Sequence, residues 1–129
     1  MGTTYKPKDY NSLSPYLIVD GAQKLVDLLK TIFNTTELRR FNHDNGSIQH
    51  IELKLDDSII MISDSTDKYS ANTAMLHIYV PDVFKIYKLA IDNGCEPIEQ
   101  PINKQDDPDI RGGFKDFAGN YWAIGQQKN

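Results

Sequence analysis

The chain has 129 residues, of which 40% are hydrophobic and 25% charged, and its formal net charge is −4. This composition belongs to one globular domain, not to a disordered chain, and a chain of this length buries roughly two thirds of its unfolded surface. It excludes a membrane-spanning helix, because apolar runs reach only a few residues. It also excludes a nucleic-acid binder, which needs a basic footprint. Met1–Lys8 has no apolar stretch, so no signal peptide is expected. Cys95 is the single cysteine and cannot form an intrachain disulfide. A reducing, cytoplasmic compartment is the expectation.

Residues 1–12 are polar, include Pro7 and read as a loosely ordered arm. Leu13–Val19 predicts a strand, with Pro15 marking an edge or a strand end. Asp20-Gly21 opens a helix, and Ala22, Leu25, Leu28, Leu29, Ile32 and Phe33 recur at helical spacing. Glu37–Phe41 predicts a short strand. His43-Asp44-Asn45-Gly46 predicts a turn, because Asn-Gly accepts positive φ. Apolar Ile48, Ile51, Leu53 and Leu55 face away from His50, Glu52 and Lys54; Asp56-Asp57 turns the chain and Ile59–Ser63 returns. The polar stretch 65–74 is a linker. Met75–Val80 is a strand, and Pro81-Asp82 starts a second helix with Val83, Ile86, Tyr87, Leu89 and Ala90 inward. Asn93-Gly94 stops it. Glu96–Ile102 is a strand with two prolines, Asn103–Asp109 an acidic loop, and Gly112–Phe117 with Asn120–Gly125 a hairpin around Ala118-Gly119.

The order strand, helix, three strands is therefore written twice. At an offset of 61, Val19 falls on Val80, Lys24 on Lys85, Leu25 on Ile86 and Leu28 on Leu89; at 62, Asp57 falls on Gly119 and Ile62 on Ile124. A period of about 60 residues is too long for a solenoid unit and reads as two copies of one βαβββ module. Residues 13–64 form the first copy and 75–127 the second, together one α+β domain.

Three groups of residues resemble the vicinal oxygen chelate superfamily of glyoxalase, bleomycin-resistance and dioxygenase proteins. They are Ser14–Gly21, then Gln49–Leu53 with Asp57–Asp64, then Leu76–Val83 with Gly112–Trp122. The resemblance covers nearly everything from Leu13 to Gln126 and is nearest to the PhnB-like branch of small bacterial members. It implies two βαβββ modules curled into a partly open mixed sheet, with ligand on the concave face, helices on the convex face, and a homodimer. Metal-using members place one ligand on the first and one on the last strand of each module. Counted from the matched valines and turns, these positions are Ser14, Met61, Met75 and Ala123. None supplies the carboxylate, imidazole or thiolate that a divalent ion requires. No metal and no cofactor is expected, and neither is glyoxalase I or extradiol dioxygenase chemistry.

Strand alternation sorts the faces independently of the resemblance. Leu17, Val19, Ile51, Leu53, Ile60, Ile62, Leu76, Ile78, Trp122 and Ile124 point to the helices. Ser14, Ile18, Ser63, Asp116 and Ala123 point the other way, with Tyr16, Met61, Met75, His77, Tyr79, Phe114 and Tyr121 as the expected ligand-binding set. Such a mixture of aromatic, thioether and polar groups suits a small-molecule pocket; the alternative is an interior packed on itself. His50 and Glu52 are the candidate catalytic pair, since residues two apart on a strand share a face and a carboxylate can orient an imidazole for acid–base work. They also read as a solvated structural pair, or with His77 as a two-histidine, one-carboxylate metal site. Trp122 and Cys95 read as core, and Arg111 lies at the pocket rim.

These readings lead to a metal-independent small-molecule-binding protein of the bleomycin-resistance type, holding an aromatic or cationic ligand. The alternatives are a lyase or isomerase using His50 and Glu52, with or without a divalent metal, and a dimeric domain without catalysis.

Overall fold

The apolar period of the first helical segment becomes α1, Ala22–Phe33, which buries Ala22, Leu25, Val26, Leu29 and Ile32. Its partner in the second half is α2, Val83–Asp92. The computed structural model that shows them describes residues 4–129; the first three residues of the expected arm lie outside the described residues. Eight strands accompany the helices. They are β1 (Tyr16–Val19), β2 (Thr36–Asn42), β3 (Ile48–Leu55) and β4 (Ser58–Asp64), then β5 (Met75–Tyr79), β6 (Glu96–Ile102), β7 (Asp109–Lys115) and β8 (Tyr121–Gln127). Pro15 falls just outside β1, as its missing N–H predicts.

The strands form two four-stranded mixed sheets, ordered β1-β4-β3-β2 and β5-β8-β7-β6. The fold is α+β and the sheets do not close into a barrel. The internal repeat holds at the level of register. Tyr16 pairs with Met61 and Leu17 with Ile62 in one sheet; His77 pairs with Ala123 and Ile78 with Ile124 in the other. Capping repeats as well. The Asp64 carboxylate accepts from Ala22 N at 2.8 Å, and at the equivalent place Gln126 Oε1 accepts from Val83 N at 3.0 Å. Both helices thus have an orphan N-terminal donor satisfied from the last strand of their own module.

The convex residues of both sheets and the buried faces of both helices form one core. Phe33 at the end of α1 joins the halves, lying 5.3 Å from the Trp122 ring and 6.3 Å from Phe114. This corrects the face expected for Phe114 and Asp116. Phe114 pairs with Trp122, so the two share a face, and Phe114 is 1% exposed in the core. Asp116 lies under the same turn, where it accepts from Trp122 Nε1 at 2.9 Å and from the backbone of Ala118 and Asn120. The cause is turn length. Leu55 pairs with Ser58 across two residues, whereas Lys115 pairs with Tyr121 across five. A tight turn at Ala118-Gly119 would have set Phe114 opposite Ala123; the longer turn shifts register by one residue, which exchanges the faces.

Candidate functional site

The concave face of the first sheet gathers its polar residues into one connected chain. Glu52 sits on β3 opposite Met61 and is only 5% exposed. Its Oε2 lies 2.8 Å from His50 Nε2, and His50 Nδ1 lies 2.9 Å from the Tyr16 hydroxyl. Its Oε1 accepts from the Tyr10 hydroxyl at 2.5 Å and lies 3.7 Å from Arg39 Nε. Burial works to raise the Glu52 pKa. The hydrogen bonds from Tyr10 and His50, with the His50 and Arg39 charges, outweigh it and hold the carboxyl below its ordinary value. Glu52 is therefore a carboxylate at neutral pH and only accepts, so His50 Nε2 donates to it. In the tautomer whose only proton is on Nε2, His50 Nδ1 accepts from the Tyr16 hydroxyl.

Beside this chain lies a recess of about 720 Å³, lined by Tyr16, Ile18, His43, Gln49, His50 and Ser63 together with the linker residues Thr66, Lys68, Tyr69 and Asn72. The linker covers the free edge of β1. Asn72 N donates to Ile18 O at 3.0 Å, and its side-chain oxygen accepts from Ile18 N at 3.2 Å. Asp64 reaches the recess too, but its oxygens already accept from Gly21, Ala22 and Ile48 amides. The polar groups left to a ligand are the His43 imidazole, Ser63, Gln49 and Lys68, with the Tyr16 hydroxyl and His50 Nδ1 offered where a ligand breaks the bond between them; both ends of the Asn72 amide are engaged by β1.

The second sheet arranges its concave face differently. His77 and Tyr79 rings pack edge to face at 4.8 Å, and the Tyr79 hydroxyl donates to Asp109 Oδ2 at 2.7 Å, a bond that raises the Tyr79 pKa. Arg111 is held by Asp107 at 2.8 Å and by Asp109 at 3.2 Å, so its charge is neutralised at home. Tyr121 lies over Gly113, where a Cβ would fall on its hydroxyl. Met75, opposite Tyr121, is 75% exposed. His77 and Tyr79 line a separate recess of about 440 Å³ with the β3–β4 turn.

Of the residues singled out in the sequence, the structure brings together Tyr16, His50 and Glu52, with Met61 as their sheet neighbour. It does not bring Met75, His77, Tyr79 or Tyr121 to the same recess, and Phe114 is core. His77 does not join His50 and Glu52; among the described residues no three His, Cys, Asp or Glu side chains converge on one point. Ser14, Met61, Met75 and Ala123, the positions the resemblance singled out for metal, are an unsuitable donor set for a divalent ion. Sequence reasoning missed Tyr10, Arg39, His43 and the linker residues. Arg39 carried a signal, since a buried acid on β3 calls for cations on its neighbour β2. Tyr10 and Tyr69 carried none, because irregular segments have no period to read.

Eight strands and two helices in this repeated βαβββ order make a glyoxalase/bleomycin-resistance-like fold. Among solved structures, TioX from Micromonospora sp. ML1 matches with a TM-score of 0.71, 91% of this chain against 100% of its own, at 17% identity. The PhnB protein from Bacillus cereus matches with a TM-score of 0.73, 90% against 99%, at 12% identity. An uncharacterized protein of Mycobacterium bovis is 25% identical over 126 residues, covering 89% of this chain and 82% of the relative. No protein-family model matches the chain. No helix among the described residues is long and apolar enough to cross a membrane.

Proposed function

We propose that this protein binds an aromatic small molecule, without a metal, in the first-sheet recess. The observation that carries the reading is the recess itself: a hollow of ligand size, walled by Tyr16 and Tyr69, with hydrogen-bonding groups on its floor. An aromatic ligand fits better than a cationic one. The nearest buried carboxylate, Glu52, already has Tyr10, His50 and Arg39 as partners, and Asp64 is spent on backbone amides. A fragment screen by thermal shift, followed by amide chemical-shift mapping, tests this. Hits must perturb Ile18, Ser63 and Tyr69 and lose affinity in Tyr16→Ala; hits that perturb only β5 and β8 contradict it.

The Tyr16–His50–Glu52 chain supports a second reading, a lyase or isomerase. A substrate that replaces the Tyr16 hydroxyl at Nδ1 meets an imidazole oriented by a buried carboxylate, the arrangement of a general base. Proton exchange at an acidic carbon of a bound hit, followed by NMR in deuterium oxide, would be abolished in His50→Gln under this reading.

We further propose a homodimer. The support is the exposure of the second concave face, where Met75 and Tyr79 are large apolar groups left open. A second copy is the occupant of matching chemistry, and sedimentation velocity tests it.

A further inference from the structure

The arm before β1 is tied to the sheet in a way that does not depend on whether the recess takes a ligand. Residues Thr4–Asn11 form no strand and no helix. Their backbone bond in this stretch is internal, from Tyr10 N to Pro7 O at 3.2 Å, and Lys6 Nζ to Ser12 Oγ at 3.0 Å is internal too. Among the described residues, the arm's hydrogen bond to the sheet comes from Tyr10. The Tyr10 hydroxyl donates to Glu52 Oε1 at 2.5 Å, and the Arg39 guanidinium lies 5.4 Å from the centre of its ring. Asp9 beside it adopts a positive φ of 68°, a conformation a non-glycine residue holds at a cost. The groups receiving Tyr10 belong to the rigid sheet, on β2 and β3. They are a buried carboxylate aimed at a hydroxyl and a cation over a ring face, which is the recognition chemistry of a phenol.

We infer that Glu52 Oε1 and Arg39 form a phenol-binding subsite which the chain's own Tyr10 occupies, and that a small phenol enters it by displacing the arm. The subsite adjoins the recess but is distinct from it: the carboxylate turns Oε2 to His50 and Oε1 to Tyr10. Burial and the Glu52 bond both raise the Tyr10 pKa, so the occupant is a neutral hydroxyl donor, as a free phenol would be. A tethered occupant competes at an effective concentration of order millimolar, so the closed state persists against dilute phenols and yields to concentrated ones.

The test uses p-cresol as probe, toluene as its hydroxyl-free control, and calorimetry with the full chain. Tyr10→Ala should bind p-cresol one to one and at least about tenfold more tightly than the wild type. Toluene should not bind it, and Tyr10→Ala combined with Glu52→Gln should lose the site. In the wild-type protein, p-cresol at about tenfold higher concentration should move the amide signals of Lys6–Ser12 toward free-chain values. That second readout does not depend on the variant folding. Equal affinity of wild type and Tyr10→Ala, equal binding of toluene, or arm signals that stay fixed would overturn the inference. Recess binding gives neither the difference between wild type and Tyr10→Ala nor the movement of the arm signals, because the recess is present in both proteins and is not lined by the arm.

Discussion

Where the first sheet carries Glu52, the second carries Gly113, and where the first carries His50, the second carries Arg111. Tyr16 and Met61 answer likewise to His77 and Ala123. The β1–β4 and β5–β8 pairings share one register, so at these four places the difference lies in the side chains. In the first sheet a buried acid is satisfied by three neighbours and leaves an oriented imidazole beside a hollow. In the second, glycine admits Tyr121 across the sheet, and the one guanidinium is cancelled by two carboxylates. Duplication supplied two equal frames. The first retains polar groups with unused hydrogen-bonding capacity; in the second those groups are consumed by packing and ion pairing.

The largest effect is expected from Phe114→Ala, at about 3–5 kcal/mol in urea unfolding, because the ring is core. Tyr16→Ala, at a position 40% exposed, should cost only about 1 kcal/mol. Equal costs would mean that Phe114 lines a pocket after all.

Glu52→Gln should cost about 1.5–3 kcal/mol at pH 7, since it weakens bonds made to a charge. Its pH dependence is the more specific sign. The folded pKa of Glu52 lies below its ordinary value of 4.5, so its stabilisation is complete above that value and is lost as pH falls through the lowered one. The gap between wild type and variant should therefore narrow in acid. A gap constant from pH 7 to the acid limb would show that the carboxylate's charge is not what stabilises the fold.

Gly113→Ala should destabilise by about 1–3 kcal/mol, because the added methyl meets the Tyr121 hydroxyl and ring. The double variant Gly113→Ala, Tyr121→Phe should recover part of that cost. Met75→Asp should be the mildest for folding, within about 0.5 kcal/mol, yet should shift sedimentation to the monomer if a second copy covers that face.

Much of the frame is legible in the amino-acid order alone. Helical spacing locates α1 and α2, alternation locates β3 and β4, and the offset of Val19 to Val80 reports the duplicated register. Legibility ends where a loop length is needed. Asp116 and Asn120 end a five-residue turn, tied to Trp122 on β8 by hydrogen bonding, that Ala118-Gly119 conceals, and one residue of slip exchanges the face of Phe114. His50 and Glu52 are visible as a pair because strand period places them together. Their outer partners are not, since Tyr10 arrives from an arm without periodicity and Tyr69 from a linker. The two concave faces also read as one pocket in sequence, whereas the recess draws on residues from Tyr16 to Asn72 alone.

Metal-free binding in the first-sheet recess is tested by calorimetric titration of chelator-dialysed protein. The best fragment hit would be titrated into wild type, Tyr16→Ala and His77→Ala, each with and without added Mn²⁺ or Zn²⁺. Full binding is expected in the metal-free wild type and in His77→Ala, at least about tenfold loss in Tyr16→Ala, equivalent to about 1.4 kcal/mol, and no gain from either ion. Binding that requires added metal, or that disappears with His77 and survives the loss of Tyr16, would contradict it.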